Sequence, residues 1–170
     1  MKQNVVNKKF AKGFTLLELL VVVVIIGILA AIALPQYRLA VGKAKFATIK
    51  NITKSIAEAE ELYYIQNGEY TNDPSKLGTD FAGVDISGSG DCYIWNIKNG
   101  QKAVACGVMV NKIRVTYYHF FALSSNSPNV RNCLVYSTNK ADIPNKVCQH
   151  DTGKTAAQAS CNDTYCSYKY

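Results

Sequence analysis

Residues 14–34 constrain this chain more than any other stretch. Across them a single side chain ionises, Glu18, and residues 21–34 carry no charge at all. A helix of this length spans roughly 30 Å at about 1.5 Å per residue, the depth of a bilayer's hydrocarbon core. A carboxylate inside such a stretch costs on the order of 2.5–3.5 kcal/mol near the bilayer centre. Glu18 is therefore a candidate functional residue on energetic grounds alone.

Three kinds of segment fit this pattern unequally. A secretory signal peptide would use Ala31-Ile32-Ala33 as its small-x-small cleavage site, but the usual apolar region is only about 7–15 residues long and holds no carboxylate. A permanent anchor fits the length and leaves Glu18 unexplained. It also leaves unexplained why helical character continues past Pro35. There Val41, Ala44, Ile49, Ile52, Ile56, Ala59 and Tyr63 gather on one side at about 100° per residue, with Lys43, Lys50, Lys54, Glu58 and Glu61 opposite. Lys45 falls on the apolar side, so the packed stripe is expected to become continuous only beyond it. One helix is predicted to run from residue 14 to about 66, with Gly27, Pro35 and Gly42 as its weak points and Pro35 favouring a kink. Asn67-Gly68 supplies the stop.

The net charge of +7 is concentrated at one end. Lys2, Lys8, Lys9 and Lys12 precede Gly13 without an accompanying acid, which leaves fifteen basic against twelve acidic side chains beyond it. Basic residues ahead of an apolar run keep the N-terminus cytoplasmic. The remainder is close to neutral, so nucleic acid is not indicated as a partner.

The segment Lys12-Gly13-Phe14-Thr15-Leu16-Leu17-Glu18-Leu19-Leu20, with Pro35 and Tyr37 beyond it, resembles the class III signal of type IV pilins and of the related type II secretion pseudopilins. The short leader and Phe14 look like the type IVa subclass. The resemblance implies that prepilin peptidase cuts between Gly13 and Phe14 and methylates the new amino group of Phe14. It further implies that the subunit waits in the inner membrane with its head periplasmic. An assembly platform and its ATPase would then stack it with other copies into a helical extracellular filament. Thr15 and Glu18 would serve subunit assembly, Glu18 facing the Phe14 ammonium of a neighbour. The stretch between Gly27 and Pro35 would lose helicity in the filament. No cofactor is implied.

The expected organisation is a cleaved basic leader (1–13), a transmembrane and filament-core helix (14–35), an amphipathic helix of the head (36–66), a connecting loop (67–91), an antiparallel sheet (92–137) and a cysteine-rich C-terminal region (138–170). The fold class is α+β: a long N-terminal helix packed on an antiparallel β-sheet head with a disulfide-stapled tail. Strands are predicted at residues 92–97, 101–110, 113–123 and 133–136. If Lys98-Asn99-Gly100 forms a three-residue hairpin loop, Cys92 lies directly opposite Cys106; a two-residue Asn99-Gly100 turn would shift that register by one. The six cysteines, at 92, 106, 133, 148, 161 and 166, all lie beyond the apolar helix, as expected of disulfides in an oxidising compartment. Cys133–Cys148 and Cys161–Cys166 are the local pairings among fifteen possible. Residues 138–170 lack core periodicity and read as an exposed polar tail.

No C-x-x-C pair occurs, and no metal site is expected. His119 reads as a strand side chain with a hydrogen-bonded partner, and His150 as a solvated loop residue. The adjacent pairs Tyr117-Tyr118 and Phe120-Phe121 must point to opposite sheet faces, one of them core. No nucleophile–His–acid constellation or phosphate-cradling loop is evident, so no enzyme is expected. The functional expectation is a structural pilin subunit of a type IV pilus, serving adhesion, motility or DNA uptake. The alternatives are a pseudopilin of a type II secretion system and a membrane-anchored binding protein.

Overall fold

The computed structural model describes residues 13–78, 81, 84–86, 91–96, 100–125 and 127–170, with the side chain of Asn96 excepted. The chain divides into two compact units, Met1–Gln36 and Tyr37–Tyr170. Helix α1 (Leu16–Asn67) is assigned without interruption through Gly27, Pro35 and Gly42.

The first unit contributes the apolar part of α1, and its large side chains stay open to the surroundings. Leu16 is 82% exposed, Ile26 59% and Ile32 62%. This stretch is long and apolar enough to cross a membrane.

The second unit is a helix-on-sheet layer. Strands β1 (Cys92–Asn96), β2 (Lys102–Val110), β3 (Ile113–Phe120), β4 (Arg131–Val135), β5 (Ser160–Cys161) and β6 (Cys166–Lys169) form one antiparallel sheet in the order β1-β2-β3-β4-β6-β5. Cys92 pairs with Cys106 and Asn96 with Lys102. The two predicted loop residues Lys98 and Asn99 lie outside the described residues. Between β2 and β3, Asn111 and Lys112 both take positive φ, 50° and 65°. Two consecutive left-handed residues match the twist of a tight hairpin.

The buried stripe of α1 is Gly42, Phe46, Ile49, Thr53, Ile56, Ala57 and Glu60. It begins earlier than the sequence pattern implies, because Lys45 and Ala44 point to solvent while Gly42 and Phe46 turn inward. Gly42 is a point of close packing. A Cβ there would sit 2.9 Å from Val110 Cγ1 and 3.1 Å from Val147 Cγ2. Phe46 meets Tyr117 edge-on, and the core continues through Val104, Cys106, Val115, Phe121, Cys133 and Val135. Tyr117 and Phe121 belong to this core, whereas Tyr118 and Phe120 sit in a separate cluster on the opposite sheet face. The aromatic pairs thus divide by strand alternation.

Glu60 occupies the same stripe and is fully buried. Its Oε2 accepts from the Thr71 amide at 3.1 Å, and Oε1 has no partner among the described residues. Burial raises its pKa to about 7, with the Thr71 bond lowering it and the Glu61 charge adding to the rise. Glu61 accepts the Tyr70 hydroxyl and, at 3.1 Å, the Ala122 amide. The two carboxylates tie the segment after α1 to the helix. That segment is less loop-like than its composition suggests: Tyr70, Thr71 and Leu77 are buried, and a 3-10 turn spans Pro74–Leu77.

The largest departure from expectation is at the C-terminus. Residues 138–170 supply helix α2 (Ile143–Thr152) and two strands of the sheet, with Val147, Cys148, Cys166 and Tyr168 in the core. The helix signals are local. Asp142 caps it by accepting from the Asn145 amide at 2.9 Å, Pro144 lies in its first turn, and left-handed Gly153 ends it. His150 is helical, not a loop residue. Buried Asn145 donates to the Asn139 carbonyl and accepts the Tyr168 hydroxyl at 2.8 Å, joining α2 to β6. Asp151 pairs with Lys50 of α1 at 2.9 Å and accepts the Tyr170 hydroxyl. His119 lies in β3 as expected; its buried Nδ1 has no partner among the described residues, and burial, then Arg131, lowers its pKa.

Candidate functional site

The residues singled out at the start of the apolar helix lie in consecutive positions. Gly13 has open space around its Cα, and Phe14 is 75% exposed. Thr15 immediately precedes α1. The Thr15 amide donates to Glu18 Oε2 at 2.8 Å and its hydroxyl donates to the same oxygen at 2.7 Å. In return, the Glu18 amide donates to Thr15 Oγ1 at 3.2 Å. This is a reciprocal capping box, in which two donors at a helix start are satisfied by side chains. A negative charge in the first turn also complements the helix dipole.

The cap gives Glu18 a partner within its own chain, a role the hydropathy argument missed. Its signal is Ser/Thr-x-x-Glu immediately before an apolar run, and Thr15-Leu16-Leu17-Glu18 spells it. Both Thr15 bonds end on Oε2, and no bond to Oε1 occurs among the described residues. One lobe of the carboxylate thus remains available to a donor from outside the helix. Gly27 has nothing within 4 Å of a built Cβ, and Pro35 lies inside the helix.

The cysteines form three disulfides far along the chain from this site. Cys92–Cys106 joins β1 to β2, Cys133–Cys148 joins β4 to α2, and Cys161–Cys166 joins β5 to β6. Two of the three lie across directly paired strand positions. Among the described residues, no group of three His, Cys, Asp or Glu side chains is arranged to hold a metal.

Comparison with known proteins bears on the same segment. Residues 8–34 match the prokaryotic N-terminal methylation motif. A fimbrial protein of Neisseria meningitidis is 35% identical over 91 residues, 52% of this chain and 51% of the relative. Type II secretion system core protein G of Pseudomonas aeruginosa is 42% identical over 64 residues, 38% of this chain and 45% of the relative. A Pseudomonas aeruginosa fimbrial protein is 27% identical over 144 residues, covering 81% of this chain and 94% of its own length. The chain spans about half the length of most curated relatives it matches. The methylation motif, the run of fimbrial, pilin and pseudopilin relatives and the helix-on-sheet fold point the same way: the chain is similar to type IV pilins and to type II secretion pseudopilins.

Proposed function

We propose that this chain is a precursor pilin. Prepilin peptidase cuts it between Gly13 and Phe14 and methylates Phe14, and the product rests in the inner membrane with its head periplasmic. An assembly platform and its ATPase then polymerise it into an extracellular type IV pilus. Its role is structural, without a catalytic site or cofactor. One observation carries the reading: the apolar start of α1 is exposed on all sides and holds a lone carboxylate with an oxygen to spare. In lipid that oxygen is uncomfortable. In a dry bundle of sister helices the freed ammonium of a neighbouring Phe14 supplies the missing donor and the opposite charge. Gly27 and Pro35 mark the stretch where the helix would yield as subunits are packed.

The second reading, a secretion-system pseudopilin, is supported by the likeness to core protein G. Intact mass and N-terminal sequencing of the chain from membranes test the processing step. A mature chain beginning with N-methylated Phe14 is expected, and a chain beginning at Leu34 would overturn it. Shearing cells separates the two assemblies: this subunit in long surface fibres supports the pilus, and its absence from them favours the pseudopilus.

A further inference from the structure

The sheet has a second apolar face, turned away from both helices. Ala103, Ala105, Tyr118 and Phe120 form its centre, with Tyr93, Trp95 and Leu134 packed against them. This face opens into a cavity of about 430 Å³ that reaches from Trp95 on β1 to Tyr165 just before β6. Small-ligand sites run from about 300 to 1,000 Å³, so the volume is ample for one.

The lining combines two chemistries. Trp95, Tyr118 and Tyr165 contribute rings, Gln101 and Asn132 contribute side-chain amides, and Lys169 is the one charged side chain among the described lining residues. The Tyr118 hydroxyl is already bonded to that of Tyr93 at 2.7 Å. Asn132 differs: its Oδ1 is buried and has no hydrogen-bond partner among the described residues. Buried polar atoms are ordinarily satisfied, and this one belongs to a side chain at the cavity wall.

We propose that this cavity binds a saccharide. A pyranose ring pairs an apolar C–H face, which lies flat on an aromatic ring, with an edge of hydroxyl donors and acceptors. Trp95 and Tyr165 match the first, and Asn132, Gln101 and Lys169 match the second. The side-chain amides of Asn132 and Gln101 both stand at the cavity wall, where a sugar's hydroxyl edge would meet them. Other ligand classes fit less well. A nucleic acid needs several cations along its phosphates, and this lining offers one lysine. A hydrocarbon would leave the amides buried without partners. The inference concerns the head alone and does not depend on polymerisation.

The chain's single tryptophan is Trp95, so its fluorescence reports occupancy directly. The full-length chain, held in a detergent without a sugar headgroup, is titrated with N,N′-diacetylchitobiose, lactose, a hyaluronan disaccharide and oligothymidylate. A saturable change in emission is expected with at least one sugar and none with the oligonucleotide. Asn132→Leu and Tyr165→Ala are each expected to weaken binding by about tenfold or more. If circular dichroism shows that Asn132→Leu does not fold, Tyr165→Ala alone decides. Three outcomes overturn the proposal: emission unmoved by every sugar, saturation by the oligonucleotide alone, or a change that follows only protein concentration. The last would identify the face as a contact between copies.

Discussion

The two halves of α1 are built from the same kinds of side chain and meet different fates. In the head, Phe46 and Ile56 are 1% and 0% exposed, because the sheet and α2 cover one stripe of the helix. In residues 16–34, leucines, valines and isoleucines remain open on all sides. Each such side chain gains about 1.5–3 kcal/mol on leaving water, so lipid or other helices would favour the first half strongly. The comparison teaches that a helix with a polar face finds its partner within the chain, and one without must find it outside. Acidic residues divide in the same way. Glu60 is enclosed by its own fold, whereas Glu18 is exposed and takes both of its Thr15 bonds on one oxygen.

The sharpest break in this contrast comes from Glu18→Gln. Glutamine also serves at the third position of a capping box, so the helix start should survive while the charge is lost. Filament yield should drop by tenfold or more, since losing one partner of a buried pair costs about 3–5 kcal/mol. Normal yield in sheared preparations would mean the cap, not the charge, explains Glu18. In the head, replacing Cys133 and Cys148 by alanine should lower stability by about 3 kcal/mol, and the shorter Cys161–Cys166 loop should cost about 2 kcal/mol. Denaturant unfolding of detergent-solubilised protein checks both, and equal losses would contradict a loop-length origin.

Glu60 gives a pH dependence of definite sign. Its folded pKa is about 7 against an ordinary 4.5, so between those values the folded state holds a proton that the unfolded state releases. Stability therefore falls as pH rises through that window, by up to about 3 kcal/mol. Near-UV circular dichroism melts at pH 5 and pH 8 should differ for the native chain, and less so for Glu60→Gln. Identical native melts would refute the raised pKa. The smallest test compares two glycines. Gly42→Ala should destabilise the head by about 1–3 kcal/mol, because its Cβ meets two valines, which are stiff side chains. Gly27→Ala meets nothing within the chain and should gain a few tenths to about 1 kcal/mol of helix stability in the isolated subunit. Like signs at both positions would erase the distinction between the halves.

The N-terminal methylation motif was legible because its signals are local. A lone carboxylate in an apolar run and a glycine ahead of Phe14 are read along a line, whereas the Thr15–Glu18 cap, spelled just as locally, was passed over. The hairpin of Cys92 and Cys106 was equally legible from alternation about a turn. Helix α2 carried local cap signals that the polar composition of 138–170 hid, and the closing strands carried none, since polar residues such as Asn145 and Gln149 are buried or half-buried there by hydrogen bonds to Asn139 and Tyr168. Glu60 was placed on neither face of the predicted helix, because a hydropathy count assigns a carboxylate to solvent, yet it is buried.

Order along the chain by itself determined the apolar start, its single charge, the long helix and the strand periodicity, since each depends on neighbours a few residues apart. Only the tertiary structure decided which helical stripe is inward, that the C-terminal residues complete the sheet, and that Trp95, Asn132 and Tyr165 line one cavity. Those outcomes depend on contacts between residues tens of positions apart. Burial and hydrogen bonding across such distances are properties of packing, and no local pattern encodes them.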